Sequence, residues 1–142
     1  KEELNVVEVV ELAIDIFNRD QISFNPSSSK IQANFDRTQL IRVITNLLKN
    51  AFQAIPEDRN PEIAVNISEK DDEVNISISD NGYGISKMDM EKIFEPSFTT
   101  KSSGMGLGLS MIKSIITAYN GSITFTSKSN VGTTFNITFP KK

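Results

Sequence analysis

Three groups of residues in this chain sit where ordinary helix and strand composition would not put them. Between Asp36 and Pro56 a run of helical spacing contains Gln39, Arg42, Asn46, Asn50 and Gln53 at intervals of three and four, so these side chains share one face. Asn46 and Asn50 stack one turn apart on it. Asparagine is a poor helix former because its amide competes for backbone hydrogen bonds, and a solvated face is usually built of Glu and Lys instead. Two readings fit: a polar surface, or a ligand face, since an amide oxygen is a hard neutral donor suited to Mg²⁺, which keeps its waters and takes few protein groups. The second group is Asp80 with Thr133. By the two-residue period of a strand, Asp80 points the same way as Val74, Ile76 and Ile78, and Thr133 the same way as Phe135, Ile137 and Phe139, so both polar groups face inward. Asp80 before Asn81-Gly82 also suits a plain turn. A buried carboxylate beside a hydroxyl is equally suited to read an adenine amino group, and Gly82 and Gly84 would let the backbone approach a planar base. The third group is Lys101-Ser-Ser-Gly104-Met105-Gly106-Leu107-Gly108-Leu109, whose glycines run into a helix beginning near Leu107. Unpaired amides at a helix start, with Lys101 beside them, favour phosphate. The segment is neither a Walker loop nor a dinucleotide fingerprint, because no Gly-Lys-Ser/Thr occurs and the strand–turn–helix spacing fails. A flexible linker is the competing reading, but linkers seldom keep Met and Leu between glycines and then enter an apolar helix.

The elements that must hold these groups are legible from periodicity. Val6, Val9, Val10, Ala13, Ile16 and Phe17 predict a first amphipathic helix over Glu3 to Asn18. Ile22 to Asn25 and Lys30 to Phe35 flank Pro26 and three serines, a turn cluster of the kind that joins antiparallel strands. Asp36 or Thr38 starts the long helix, which runs to Ile55 and stops at Pro56. Ile63 to Ile67 and Val74 to Ile78 alternate as strands around the acidic turn Lys70 to Glu73. The stretch from Gly82 to Gly106 reads as a long loop with one helical turn near Met88 to Ile93, and loops of that length are usually functional. A helix over about Leu107 to Tyr119 ends at Asn120-Gly121, and a hairpin of Ile123 to Thr126 and Thr133 to Phe139 turns at Asn130 to Gly132. The order predicts an α+β two-layer sandwich with helices stacked on one face of a sheet.

Bulk properties narrow the chemistry. The 142 residues suit one domain with one core, and no apolar run approaches the roughly 20 residues of a membrane span. A net charge of −3 argues against a nucleic-acid surface, which relies on clustered Lys and Arg. The chain has no cysteine and no histidine, which removes disulfides, thiolate chemistry and most zinc and histidine-dependent hydrolase readings. Lys1 follows no Met or leader, so the chain is expected to be a piece of a larger protein.

Together these features resemble the catalytic domain of sensor histidine kinases, in the ATPase superfamily shared with Hsp90 chaperones, gyrase and mismatch-repair clamp proteins. Asn46-Leu-Leu-Lys-Asn50-Ala looks like the N box, Asp80-Asn-Gly82-Tyr-Gly84-Ile85 like the first glycine box, Phe94-Glu-Pro-Ser-Phe98 like the F box and Gly104-Met-Gly106-Leu-Gly108-Leu109 like the second glycine box. Gly132-Thr133-Thr-Phe135 is similar to the family's final motif. Single boxes are weak signals; all of them in order from Asn46 to Phe135 are a strong one.

The resemblance implies a fold of the Bergerat type, with a mixed, mostly antiparallel sheet of about five strands and about three helices on one face. It implies a single catalytic domain over 1–142 with an ATP lid at about 85–106. It implies that Mg-ATP is bound, with Asn50 on Mg²⁺, Asn46 near the phosphates, Asp80 and Thr133 on adenine, and Gly104 to Gly108 holding phosphate with Met105, Gly106, Leu107 and Leu109 in the same segment. Gly82, Gly84, Ile85 and Gln53 would border the nucleotide, Phe94 and Phe98 would anchor the lid, and Thr100 and Lys101 would contact the γ-phosphate, making Asn46 and Lys101 the catalytic pair. Gln53 departs from the family, many members of which carry lysine there; Lys49 and Arg42 are the cations available to replace it. Because the chain lacks histidine, the phosphoacceptor is expected on a separate dimerisation domain of the same kinase, with a response regulator downstream. The expected setting is a cytoplasmic, monomeric module without direct membrane contact. The alternatives are a serine kinase of the anti-sigma type, against which the complete F box speaks, an ATP-gated dimerisation clamp, and a nucleotide sensor without catalysis.

Overall fold

The computed structural model describes residues 2–95 and 105–142. In chain order the elements are β1 (Glu2–Asn5), α1 (Val6–Ile14), β2 (Ile22–Pro26), β3 (Gln32–Phe35), α2 (Arg37–Gln53), β4 (Ile63–Lys70), β5 (Glu73–Asp80), α3 (Lys87–Met90), α4 (Met105–Ala118), β6 (Ser122–Lys128) and β7 (Gly132–Pro140). Five strands form one mixed sheet in the order β2-β4-β5-β7-β6, in which β2 runs parallel to β4 and the remaining pairs are antiparallel. The architecture is the expected α+β two-layer sandwich.

The layers follow from alternation. Val65 and Ile67, Ile76 and Ile78, and Ile137 and Phe139 all lie within 2% exposure and share one core with Val9 and Val10 of α1, Ile44, Leu47 and Leu48 of α2, and Ile112 and Ile116 of α4. The alternate positions on the other face are hydroxyls and amides paired across strands, as in Ser79 with Thr134 at 2.7 Å and Asn75 with Thr138 at 2.9 Å. Phe35 closes one end of the core, stacked on Tyr119 at 3.9 Å and tilted against Phe139 at 4.8 Å.

The ends of the elements have local causes. Asp36 caps α2 by accepting from the Gln39 amide at 2.9 Å. Asn120 takes a left-handed φ of 63° after α4, and the Gly121 amide returns to the Ile116 carbonyl at 2.9 Å, as in a Schellman ending. Asp71 and Asp72 at φ of 53° and 65° turn the β4–β5 hairpin. Asp36→Ala is expected to lower the unfolding free energy by about 1 kcal/mol in a denaturant titration, because the cap satisfies an otherwise orphan amide.

Two expectations are corrected. Residues 2–5 are not the start of the first helix but a strand paired antiparallel with β3, and Asn5 instead caps α1, its Oδ1 accepting from Val7 and Ile31 amides at 3.1 Å each. The segments around Pro26 do not pair with each other either. β2 joins β4 in parallel, while β3 joins β1 in a separate two-stranded sheet, so the serine cluster connects two sheets.

Candidate functional site

The polar residues predicted to face inward converge at one end of the central strands. Asp80 and Thr133 are directly opposed in the β5–β7 register. The Asp80 Oδ1 accepts from the Gly82 amide at 2.8 Å and from the Thr133 amide at 3.3 Å, whereas Oδ2 has no partner among the described residues. One carboxylate oxygen thus holds the turn and the other is left for a ligand. Burial raises the Asp80 carboxyl above the ordinary aspartate value, and the two backbone donors pull partly against it. A carboxyl raised in the fold keeps its proton more readily there than in the unfolded chain, so ionising it opposes folding. Stability is therefore expected to fall as pH rises from the ordinary value of 3.8 through the raised one. Denaturant titrations across that window should show the slope in the parent chain and lose it in Asp80→Asn; equal slopes would exclude burial as the cause.

Behind Thr133 lies a residue that the sequence reading missed. Ser127 Oγ is 2.8 Å from Thr133 Oγ1 and 3.2 Å from the Gly132 carbonyl, and it accepts from the Ile85 amide at 2.7 Å. Its parity with Ile123 and Phe125 on β6 marks it as inward-facing, the same signal that singled out Asp80 and Thr133. Arg59 was missed as well, and Asn81 figures in the sequence reading only as part of the turn and of the first glycine box. The Arg59 guanidinium donates to the Asn81 and Gly82 carbonyls at 2.5 and 3.2 Å, and the Asn81 side chain accepts from the Glu62 amide at 3.0 Å and donates to the Asn60 carbonyl at 2.9 Å. The loop after α2 is thereby fastened to the turn that follows Asp80.

The spaced glycines permit close approach of the chain to itself. A Cβ on Gly82 would lie 2.4 Å from the Ala54 carbonyl oxygen, and one on Gly84, at φ 79°, would lie 2.4 Å from the Lys128 carbonyl oxygen. The Tyr83 amide bonds the Ala54 carbonyl at 2.9 Å, which docks the turn onto the end of α2. Ile85 packs partly buried against the core.

On α2, Asn50 is buried at 7% exposure, and its Nδ2 has no hydrogen-bond partner among the described residues. A buried amide left unpaired costs about 1–3 kcal/mol. Asn46 donates back to the Arg42 carbonyl at 2.8 Å, with its Oδ1 without a partner among the described residues. Arg42 and Lys49 are exposed, and Gln53 ends the helix. The group on Asn50 that fits Mg²⁺ is its amide oxygen, a hard neutral ligand suited to an ion that arrives with its own anion and waters; the buried Nδ2 is a donor and cannot ligate a cation. Among the described residues no group of three or more His, Cys, Asp or Glu gathers to hold a metal, so carboxylates do not supply a cage.

Gly106 and Gly108 fall in the first turn of α4, which starts at Met105 rather than near Leu107. The first amides of a helix have no intrahelical acceptor, so this turn has the donors an anion needs. A Cβ on Gly108 would meet nothing within 4 Å, so packing does not demand glycine there. Leu109 is buried at 1% exposure and secures the turn from beneath. Phe94 packs edge-on to Phe125 at 6.0 Å with the Lys113 ammonium 5.1 Å over its ring. Phe98, Thr100, Lys101 and Gly104 lie outside the described residues, as do the side chains of Met105 and Leu107.

A carboxylate and a hydroxyl-bearing residue opposed on β5 and β7, the first-turn amides of α4 and an amide face on α2 are the groups this chain offers a ligand. The family model for the histidine kinase-, DNA gyrase B- and HSP90-like ATPases matches residues 35–142. The chain is 36% identical over 121 residues to the sensor protein FixL of Bradyrhizobium diazoefficiens, spanning 84% of this chain and 24% of that protein. It is 40% identical over 116 residues to the sensor histidine kinase ZraS of Escherichia coli, spanning 82% and 24%. Among solved structures, the nucleotide-free catalytic domain of the histidine kinase ThkA superposes with a TM-score of 0.86 at 32% identity, over 98% of this chain and 94% of that one. The chain belongs to the histidine kinase-, DNA gyrase B- and HSP90-like ATPase family, and within it to the catalytic ATP-binding domains of sensor histidine kinases. It spans about a quarter of the length of the curated relatives it matches. No helix among the described residues is long and apolar enough to cross a membrane.

Proposed function

We propose that this chain binds Mg-ATP and donates its γ-phosphoryl group to a histidine on a separate dimerisation domain of the same kinase, from which a response regulator is then phosphorylated. The observation that carries the reading is Asp80, whose Oδ1 is consumed by the Gly82 and Thr133 amides while Oδ2 has no partner among the described residues, with Thr133 opposed to it in the β5–β7 register. An acceptor beside a hydroxyl suits the amino group and flanking nitrogen of adenine.

Phosphoryl transfer asks a protein mainly to position reactants and neutralise charge. Asp80 and Thr133 would orient the base. The first-turn amides of α4, with Gly104 to Gly108, would hold phosphate, and Asn46 would approach the same group through its Oδ1. Asn50 would supply the protein ligand to Mg²⁺, which when bound neutralises charge on the phosphate oxygens. Lys101 and Thr100 are assigned to the γ-phosphate. The single domain is 1–142 with its lid at about 85–106, and it acts as a cytoplasmic monomer.

No base is needed here, since a neutral imidazole is already nucleophilic near pH 7. The chain itself has no histidine to modify. Incubation with γ-labelled ATP and a separately prepared histidine-bearing dimerisation domain should put an acid-labile label on that domain alone. Acid-labile label on this chain would overturn the reading, and ADP binding without any transfer would reduce it to a nucleotide sensor.

A further inference from the structure

We propose that Ser127 is a positioning residue that sets base specificity: it directs the Thr133 hydroxyl proton toward the ring nitrogen flanking the amine of an adenine-type base. The inference rests on the nucleotide reading of the site and concerns a side chain that reading does not use.

The argument is a count of protons. Ser127 Oγ accepts the Ile85 amide at 2.7 Å, and its own single proton has two acceptors within reach, the Gly132 carbonyl at 3.2 Å and Thr133 Oγ1 at 2.8 Å. If that proton goes to Gly132, the 2.8 Å contact needs the proton of Thr133, and Thr133 can only accept from a ligand. If it goes to Thr133, the Thr133 proton is released to donate into the site while Ser127 stays satisfied. Thr133 is buried at 5% exposure, so a hydroxyl with no such partner would lack water to replace it. The opposed Asp80 Oδ2 accepts only, and therefore selects an amine. Beside an amine, adenine carries a ring nitrogen with a lone pair, which needs a donor. The second proton arrangement supplies one, directly or through a bridging water. Guanine presents an N–H at the equivalent place beside its amine and would meet that donor with another. Through the Ile85 amide the same oxygen also ties the first glycine segment to the β6–β7 hairpin, so the hydroxyl and the chain that borders the base are held together.

The test compares calorimetric affinities for ADP and its 1-deaza analogue, in which the ring nitrogen beside the amine is replaced by C–H. The parent chain should prefer ADP by about 10-fold, the worth of one buried hydrogen bond. Ser127→Ala leaves the Thr133 proton in place but removes the contact that fixes the direction of the hydroxyl, and should shrink that preference below about 3-fold; Ser127→Cys, whose longer and weaker contact orients it poorly, should do the same should the alanine variant fold poorly. Ser127→Thr, which keeps the hydroxyl, should retain it. A preference unchanged in Ser127→Ala or Ser127→Cys, or a loss of affinity equal for both nucleotides, would leave Ser127 a structural residue and overturn the proposal. A parent chain that binds both nucleotides equally would also overturn it, with the nucleotide site intact. Failure of the parent chain to bind ADP at all would instead remove the reading beneath it.

Discussion

Asp80→Asn is expected to weaken ADP binding by on the order of 100-fold while leaving the fold in place, since a charged hydrogen bond lost and a donor set against a donor together amount to about 3 kcal/mol. The geometry explains why asparagine is a sharper probe than alanine. Oδ1 accepts from the Gly82 and Thr133 amides, so alanine would orphan two buried donors and confuse instability with lost affinity. Asparagine keeps that acceptor, because the reversed rotamer would set its NH₂ against both amides. Its NH₂ then occupies the Oδ2 position and faces the amine of the base, donor to donor. Calorimetry with ADP, alongside a melting curve within a few degrees of the parent, checks both halves. An affinity within about threefold of the parent would show that Oδ2 does not meet the base.

Asn50→Ala is expected to separate function from stability in opposite directions. The Nδ2 of Asn50 is buried without a partner among the described residues, and asparagine is about 0.5 kcal/mol worse than alanine inside a helix. Removing it should therefore raise the unfolding free energy by about 1 kcal/mol, with the freed desolvation cost exceeding the loss of a few packed atoms. Phosphotransfer to the histidine-bearing domain should fall by at least about 100-fold, and the Mg²⁺ dependence of ADP affinity should disappear, because the amide oxygen proposed as the protein ligand to the metal is gone. A variant that is destabilised but transfers phosphate normally would mean that Asn50 is a core residue.

Much of this site was legible because its residues obey strand and helix parity. Alternation through Val74, Ile76 and Ile78 carries Asp80 inward, and the same alternation carries Thr133, so their shared face follows from period alone, while their direct opposition across β5 and β7 is set by a register that period does not give. Ser127 obeys the same rule and was still passed over, because a serine near a hairpin turn reads as an ordinary loop residue until its register partner is known. Arg59 was illegible for a different reason: it bonds two backbone carbonyls more than twenty residues away, and carbonyls carry no sequence signal. The errors at the amino end are of this non-local kind. The predicted first helix reaches back to Glu3, yet residues 2–5 pair with β3 some thirty positions on, and that ladder outweighs helix propensity. Likewise Pro26 and the serines look like a hairpin turn, whereas β2 finds its partner in β4 only after α2 has crossed between them. The glycines show a third limit. Their presence signalled close approach, but the approaching groups at Gly82 and Gly84 are the protein's own Ala54 and Lys128 carbonyls.

The most direct measurement is a titration of the unaltered chain with ADP, run once with Mg²⁺ and once with a chelator. A single saturable event per chain, weakened when the metal is withdrawn, is what a carboxylate facing the base and an amide facing the ion require. Absence of heat under both conditions, at protein and ligand concentrations where related domains would saturate, would contradict the account.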